Sequence, residues 1–190
     1  MPRAGLDAAT VAEAGAAVAD ENGIDQLSMN VVAERLGVRT PSLYKHVDSL
    51  AALTHHIAVL GAHQMGDALR DAMQGVSGQD ALAAAAHAFR DFVKRHPGRY
   101  AATTGARPTG PDDELARALR RVLDSLRVVL RGYPLDETQE IHALRMLRSV
   151  LHGFADLETS DGFQYDTDVD ESFAWVVDFI DQGLRAKKTT

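Results

Sequence analysis

The amino-acid sequence predicts an all-helical (all-α) protein, with an N-terminal three-helix helix-turn-helix domain followed by a C-terminal helical bundle. Apolar residues recur at helical spacing in nearly every segment, and no segment shows the convincing alternation of a half-buried strand. Glycine, proline and capping residues interrupt this pattern where helices would begin and end. The chain has 190 residues, of which 45% are hydrophobic, and this is enough to form a packed core.

The first two predicted helices are marked by capping residues at both ends. Asp7 can cap the first helix, which runs to about residue 22, where Gly23 stops it. Ser28 can cap the second helix, and Gly37 ends it about nine residues later. Both glycines suit the left-handed backbone that often follows the last turn of a helix.

A third and a fourth helix are predicted to follow closely. Thr40 is the expected N-cap of the third helix, because Pro41 then takes the first helical position, where its missing N–H costs nothing. Asp48 is the expected cap of a longer fourth helix. Four main helices and one short helix are predicted beyond it, between Gly78 and His96, near 99–104, between Asp112 and Gly132, and over about 136–158 and 170–186.

Residues 28–47 have the spacing of a helix-turn-helix motif. Two short predicted helices flank the tight turn Gly37-Val38-Arg39, and the glycine supplies the backbone freedom that the turn needs. Ala33 is small where two helices cross closely, and apolar residues on both sides supply a shared core. A helical hairpin inside any bundle is the alternative interpretation, but short helices joined by such a turn rarely serve only for packing.

The ten residues Val38–Val47 resemble the DNA-binding domain of TetR-family transcriptional regulators, with a capping helix before them and a long helix after them. The resemblance covers about the first 55 residues and is most specific at the Leu43-Tyr44 pair. Further along, Leu151–Glu158 and His96–Tyr100 resemble the ligand domain of a subgroup named for a Trp-His-Gly signature. This chain has no tryptophan where that signature expects one.

The resemblance implies a homodimer that binds a palindromic double-stranded DNA operator through one helix-turn-helix per subunit. A small-molecule effector in the C-terminal bundle would release the DNA, and repression is the commoner role in this family. Residues 1–50 would form the DNA-binding domain, and residues 51–190 the domain for ligand binding and dimerisation. The last two helices would form the dimer interface, where Gly153 would permit a close crossing.

Residues on and around the third helix are the candidates for DNA contact. Residues 28–47 carry three basic residues and one acidic residue, whereas the first fifty residues together are acidic. The alternatives are packing of Tyr44 against the fourth helix and plain solvation of Lys45. Base edges are assigned to Arg39, Ser42 and Lys45 and phosphates to Thr40, Tyr44 and His46, with Pro41 opening the helix that presents them.

Two further positions bear on DNA affinity. Leu50 stands where the family often has a lysine that contacts phosphate, so one expected contact is missing. Arg3 could act as a flexible arm. Because acidic residues also crowd the first helix, we expect few ion pairs with DNA and a shallow dependence of affinity on salt.

Aromatic and polar residues on the bundle helices are candidates for an effector pocket, because helical pockets combine an apolar wall with a few polar handles. Most of them could equally fill the core, since an alanine-rich bundle needs large side chains. His87 and Asp91 have a spacing that suits a metal ion, but no second pair completes a site, and no metal is predicted. The pocket candidates are His63, Phe89, Phe92, His96, Tyr100, Met146, His152 and Trp175.

The sequence argues against several classes of protein. The net charge of −7 argues against a generally basic nucleic-acid coat protein, and the lack of cysteine excludes disulfide scaffolds and cysteine-ligated clusters. No apolar run approaches the roughly 18 residues of a membrane span, so a cytoplasmic protein is expected. No motif indicates an enzyme, and no cofactor is predicted. The remaining alternative is a helical dimer that binds small molecules or protein partners and has lost specific DNA binding.

Overall fold

The computed structural model describes residues 6–187, which form helices joined by short connections, with no strand among them. The prediction of an all-helical protein is therefore confirmed. No helix within these residues is long and apolar enough to cross a membrane. The helices are α1 Ala8–Asn22, α2 Met29–Leu36, α3 Thr40–Leu43, α4 Leu50–Ala72, α5 Gly78–Arg95, α6 Pro97–Gly105, α7 Glu114–Leu130, α8 Glu137–Thr159 and α9 Val169–Arg185, and a short 3₁₀ turn covers Ile24–Gln26.

The chain divides into two compact units. The first unit contains the described residues up to Gln64 together with Arg95–Leu119. The second unit contains Met65–Lys94 together with the described residues from Arg120 onward. These two units are groups of residues that contact one another. The expected boundary at residue 50 instead divides a DNA-binding part of the chain from a part for ligand binding and dimerisation. That functional boundary stays a prediction.

The caps of the first two helices are the ones that the sequence predicts. The Asp7 side chain accepts a hydrogen bond from the Thr10 N–H at 2.7 Å, and the Ser28 hydroxyl accepts one from the Val31 N–H at 3.3 Å. Gly37 ends α2 with φ of 65° and ψ of 31°, a left-handed conformation that suits glycine. Because these signals involve neighbours in the chain, they could be read without tertiary information.

The caps predicted for the next two helices are each wrong by one residue. Arg39, not Thr40, is the N-cap of α3, since its backbone is extended and Thr40 is already helical. At α4 the cap is Ser49, whose hydroxyl accepts a hydrogen bond from the Ala52 N–H at 3.1 Å. The helix begins directly after Ser49, so Asp48 lies one position too early to cap it.

The core of the first unit fixes the helix-turn-helix against α1 and α4. Val32 of α2 and Leu43 of α3 are completely buried. Gly15 of α1 lies so close to α4 that a Cβ atom there would stand 3.0 Å from Ile57 Cδ1 and 3.2 Å from Leu53 Cδ1. The motif is therefore held by apolar contacts from both neighbouring helices.

The N-terminus of α6 is docked on the C-terminal end of α1. Gly98 lies against α1 so closely that a Cβ atom would overlap the backbone of Ala19. The Asp20 carboxylate accepts a hydrogen bond from the backbone N–H of Arg99 at 2.9 Å and lies 3.0 Å from that residue's Nε. His96 Nδ1 lies 3.2 Å from the same carboxylate. A single acidic side chain thus ties together the start of α6 and the end of α1.

A buried arginine joins three helices of the second unit. Arg90 of α5 donates two hydrogen bonds of 2.6 Å to Glu158 of α8 and lies 2.7 Å from Asp170 of α9. Its guanidinium also lies 4.8 Å from the centre of the Phe173 ring. Lys94 Nζ lies 2.6 Å from Glu158. The hydrogen bonds from Arg90 lower the pKa of Glu158 below its ordinary value.

Candidate DNA interface and effector pocket

The seven residues assigned to DNA contact lie on one short segment. Helix α3 continues into a turn in which the N–H groups of His46 and Val47 both donate to the carbonyl oxygen of Leu43 at 2.9 Å. Leu43 and Val47 are buried, so they anchor the segment in the core. Among the candidates, Arg39, Pro41, Tyr44 and Lys45 are exposed, and Thr40, Ser42 and His46 are half-buried.

The exposed cations of this segment are available to a ligand. Within residues 6–187, Arg39 and Lys45 form no ion pair, whereas Arg35 donates bonds of 2.6 and 2.8 Å to Glu21. The pair lowers the pKa of Glu21 and raises that of Arg35. Tyr44 is 50% exposed, so packing does not absorb its ring. The local positive charge free for DNA is thus smaller than the sequence count indicated.

Two half-buried candidates of this segment have partners in the protein. Thr40 Oγ1 donates a hydrogen bond to Oδ1 of Asn30, which lies on α2, at 2.9 Å. His46 lies near enough to Asp7 to help lower its pKa, although hydrogen bonds from Thr10 contribute most. Sequence reasoning missed Asn30, because nothing in the local pattern links a residue of α2 to one ten positions further on.

Leu50 and Arg3 are the two further positions predicted to bear on DNA affinity. Leu50 is the first residue of α4 and is 40% exposed, so an apolar side chain stands at the surface where the resemblance implies a lysine. Arg3, the expected flexible arm, lies outside the described residues.

Three of the pocket candidates belong to the first unit. His63 of α4 has its Nε2 atom 2.9 Å from a carboxylate oxygen of Glu114, at the start of α7. His96 contacts Asp20 as described above, and Tyr100 is half-buried on α6. These polar groups join helices of this unit, and their role in ligand binding stays a prediction.

The other five pocket candidates belong to the second unit. Phe89 and Phe92 are buried on α5, and Met146 and His152 are half-buried on α8. Trp175 is 66% exposed on α9. It helps to line a surface pocket of about 350 Å³ whose other lining residues are Phe154, Thr167, Glu171, Ser172 and Val176. The pocket role of each predicted residue stays a prediction.

Sequence reasoning missed a second surface pocket of the second unit. This pocket has a volume of about 410 Å³ and lies between the C-terminal half of α4 and the middle of α7. Its residues come from helices about fifty positions apart, so only tertiary packing brings them together. Within the described chain, no three metal-binding side chains gather. The pocket is lined by Gly66, Arg70, Met73, Gln74, Arg121, Asp124, Ser125 and Val128.

Comparisons with known proteins match the C-terminal half of this chain to a family model and nearly the whole chain to known regulators. A family model described as the tetracyclin repressor-like C-terminal domain matches residues 82–180. The HTH-type transcriptional regulator YobS of Bacillus subtilis is 32% identical over 187 residues, covering 96% of this chain and 95% of YobS. The chain belongs to the TetR family. The TetR-family resemblance of Val38–Val47 is therefore confirmed, while membership of the Trp-His-Gly subgroup stays a prediction.

Two further proteins resemble this chain over most of its length. The HTH-type regulator Rv0681 of Mycobacterium tuberculosis is 33% identical over 184 residues, covering 97% of this chain and 84% of that protein. A protein of Rhodococcus sp. RHA1 shares the fold with a TM-score of 0.81, at 21% identity over 97% of this chain and 99% of that one.

Two further structures of the same fold contain ligands. A TetR variant from Acinetobacter baumannii AYE in complex with minocycline has a TM-score of 0.69, at 24% identity over 98% of this chain and 100% of that one. BioQ with its double-stranded DNA operator has a TM-score of 0.68, at 19% identity over 96% of this chain and 100% of BioQ. Because both identities are below 25%, these two structures are evidence for the fold of this chain alone.

Proposed function

We propose that this TetR-family regulator binds a palindromic operator as a homodimer, represses transcription there, and leaves the DNA when a small-molecule effector binds. The observation that carries the proposal concerns the recognition segment, residues 39–47, where Arg39 and Lys45 are exposed and lack ion pairs within the described chain. Leu43 and Val47 fix the same segment in the core. BioQ, whose fold is similar, has been seen with its DNA operator.

The chemistry of the segment suits the major groove. A guanidinium or ammonium group can donate to O6 and N7 of guanine, and each good contact of this kind discriminates by about 1–3 kcal/mol. Arg39 and Lys45 are the groups proposed for this role, with Ser42 between them. The Tyr44 hydroxyl, on a ring that is half exposed, can donate to a phosphate.

Glycines and exposed aromatic rings on α8 and α9 support a homodimer. Gly153 and Gly183 lie inside these helices, and a Cβ atom at either would meet nothing within 4 Å among the described residues. A glycine inside a helix costs about 1 kcal/mol relative to alanine, and no contact among residues 6–187 explains that cost. Trp175 and Phe179 are 66% and 64% exposed and stack with ring centres 5.4 Å apart. A partner subunit would cover these rings.

The charges of the same two helices are complementary. Arg145 and Arg148 are exposed on α8 and form no ion pair within residues 6–187. Glu171 and Asp178 are exposed on α9 at helical spacing from Trp175. In a two-fold dimer the same patch meets itself, so the basic stripe of one subunit can face the acidic stripe of the other.

Effector release requires a route from the ligand to the DNA-binding segment. Helix α4 supplies residues to both units, from Leu50 to Gln64 in the first and from Met65 to Ala72 in the second. A ligand that moves α4 in the second unit would therefore act on the first unit through a continuous helix. The minocycline complex of a TetR variant of the same fold supports a small-molecule effector.

Selection of operators from random duplex DNA at physiological salt tests the proposal. We expect a palindrome whose half-sites lie about one helical turn apart. Arg39→Ala and Lys45→Ala should each weaken binding and relax base preference at one position per half-site. Arg131→Ala is the matched control, because this exposed arginine, directly after α7, also lacks an ion pair in the described chain. No enrichment at any salt concentration would favour a binding dimer without specific DNA recognition.

A further inference from the structure

We infer that Asn30 donates a hydrogen bond to an operator phosphate and that Thr40 holds Asn30 in position to do so. This inference rests on the proposed operator binding. Asn30 is exposed in the first turn of α2, and its Oδ1 atom accepts a hydrogen bond from Thr40 Oγ1 at 2.9 Å. The bond joins the beginnings of the two helices of the helix-turn-helix.

This hydrogen bond decides which groups the pair can offer to DNA. A threonine hydroxyl has one proton, and Thr40 gives that proton to Asn30. The sequence predicts that Thr40 contacts a phosphate. While its hydroxyl donates to Asn30, however, that hydroxyl cannot donate to a phosphate as well. The carboxamide of Asn30 has two N–H donors, and neither has a partner among the described residues. The donor role expected of the Thr40 hydroxyl thus passes to Asn30.

The position of Asn30 decides which acceptor on DNA it meets. An asparagine that pairs with adenine uses its oxygen and its nitrogen together, and here the Thr40 hydroxyl takes one of the two lone pairs of that oxygen. The N–H groups of Asn30 remain its donors toward DNA. In helix-turn-helix proteins the first helix crosses the DNA backbone while the second lies in the major groove. Since Asn30 belongs to the first of these helices, a phosphate oxygen is the acceptor that fits.

The bond is better suited to orienting a donor than to stabilising the fold. Asn30 is exposed, so water competes for its amide and the bond adds little to folding. Its effect is to fix the direction of the amide before DNA arrives, which reduces the ordering cost of binding. Thr40 is thus a positioning residue for a contact that Asn30 makes.

The test uses the operator recovered by selection and the full-length protein. Single phosphates of the operator are replaced one at a time by neutral methylphosphonates, and affinity is measured for wild type and Asn30→Ala. We expect Asn30→Ala to weaken binding to the unmodified operator about tenfold, as for loss of a hydrogen bond to a charged group. At one linkage in each half-site, the methylphosphonate should weaken binding of wild type but not of Asn30→Ala.

Two more variants separate orientation from contact. Thr40→Val should weaken binding about threefold, and the double variant should bind no worse than Asn30→Ala alone, since Thr40 acts through Asn30. Asn22→Ala is the matched control, because Asn22 is an exposed asparagine at the end of α1, and it should bind like wild type. Thermal unfolding of each variant confirms that it folds.

The outcomes distinguish the inference from the proposed function. Equal losses for wild type and Asn30→Ala at every modified linkage would overturn the phosphate contact and leave operator binding intact. A changed base preference in repeated selection with Asn30→Ala would also overturn it, because Asn30 would then contact a base. Failure of wild type to select any operator would overturn the proposed function, and this inference with it.

Discussion

Among the glycines of residues 6–187, Gly98 has the strictest steric requirement. Its Cα lies against α1, and a Cβ atom would overlap the backbone of Ala19, which cannot rotate away as a side chain can. Asp20, the residue after Ala19 on α1, accepts a hydrogen bond from the backbone N–H of Arg99 and forms an ion pair with the Arg99 guanidinium. The contact between α1 and α6 therefore depends on the absence of one methyl group.

We expect Gly98→Ala to lower the free energy of unfolding by about 3 kcal/mol, because overpacking against backbone forces a helix to move. Urea denaturation measures this change. Gly105→Ala is the control in the same helix, since a Cβ atom there meets nothing within 4 Å among the described residues. Equal stability of the two variants would show that α6 does not pack on α1 in this way.

Between helices, the Arg90–Glu158 pair makes stability depend on pH. The hydrogen bonds from Arg90 favour the ionised carboxyl group and lower the folded-state pKa of Glu158 below its ordinary value of 4.5. The stabilisation is therefore complete above pH 4.5 and is lost as the pH falls below that value through the folded pKa. Burial of Arg90 makes the pair sensitive to loss of either partner.

Glu158→Gln should lower the free energy of unfolding by about 3 kcal/mol at pH 7, because it leaves the buried Arg90 without its main counter-charge. Urea denaturation from pH 7 down to pH 3 should show this difference narrowing below pH 4.5. Asp156→Asn is the control, since Asp156 is exposed on the same helix and its carboxylate forms no ion pair in the described chain. A difference that stays constant with pH would contradict the assignment.

The exposed aromatic pair of α9 carries a prediction about assembly. Trp175→Ser should weaken the proposed homodimer at least tenfold, since a tryptophan buried at an interface contributes about 2 kcal/mol or more. Sedimentation equilibrium over a range of concentrations measures the effect. Tyr165→Ser is the control, because Tyr165 is 91% exposed on the connection between α8 and α9. If both variants dimerise like wild type, the interface lies elsewhere.

Across the complete chain, a net charge of −7 opposes association with DNA, so the proposed operator binding would depend on a few local cations. Arg35 is paired with Glu21, and Leu50 carries no charge, which leaves Arg39 and Lys45 as the main cations of the recognition segment.

A cation that donates to a base still brings positive charge into the counterion atmosphere of DNA and displaces counterions there. With two such cations in each subunit of the proposed dimer, we expect log K for operator binding to fall with log salt concentration with a slope of about −4. Fluorescence anisotropy with labelled operator at several salt concentrations measures it. Arg131→Ala should leave the slope unchanged, whereas Lys45→Ala should make it shallower. A slope near that of a strongly basic protein, about −10, would mean that many more cations reach the DNA.

The sequence by itself determined the helical class, the approximate helix bounds and the helix-turn-helix. These features rest on interactions between near neighbours, such as the Asp7 and Ser28 caps, and on the left-handed turn at Gly37. The family followed from the same short motif, because the motif combines turn geometry and core residues in a fixed order. The predictions of Thr40 and Asp48 as N-caps were each wrong by one residue, because several adjacent residues can each take the cap position of a helix.

Only the tertiary structure decided which distant polar groups meet. It paired Arg35 with Glu21, joined Thr40 to Asn30, and divided the eight pocket candidates between two units. Periodicity shows which face of a helix is apolar, but it does not say which side chain of another helix lies opposite. That information depends on how helices pack, and packing is the sum of many weak contacts between residues far apart in the chain.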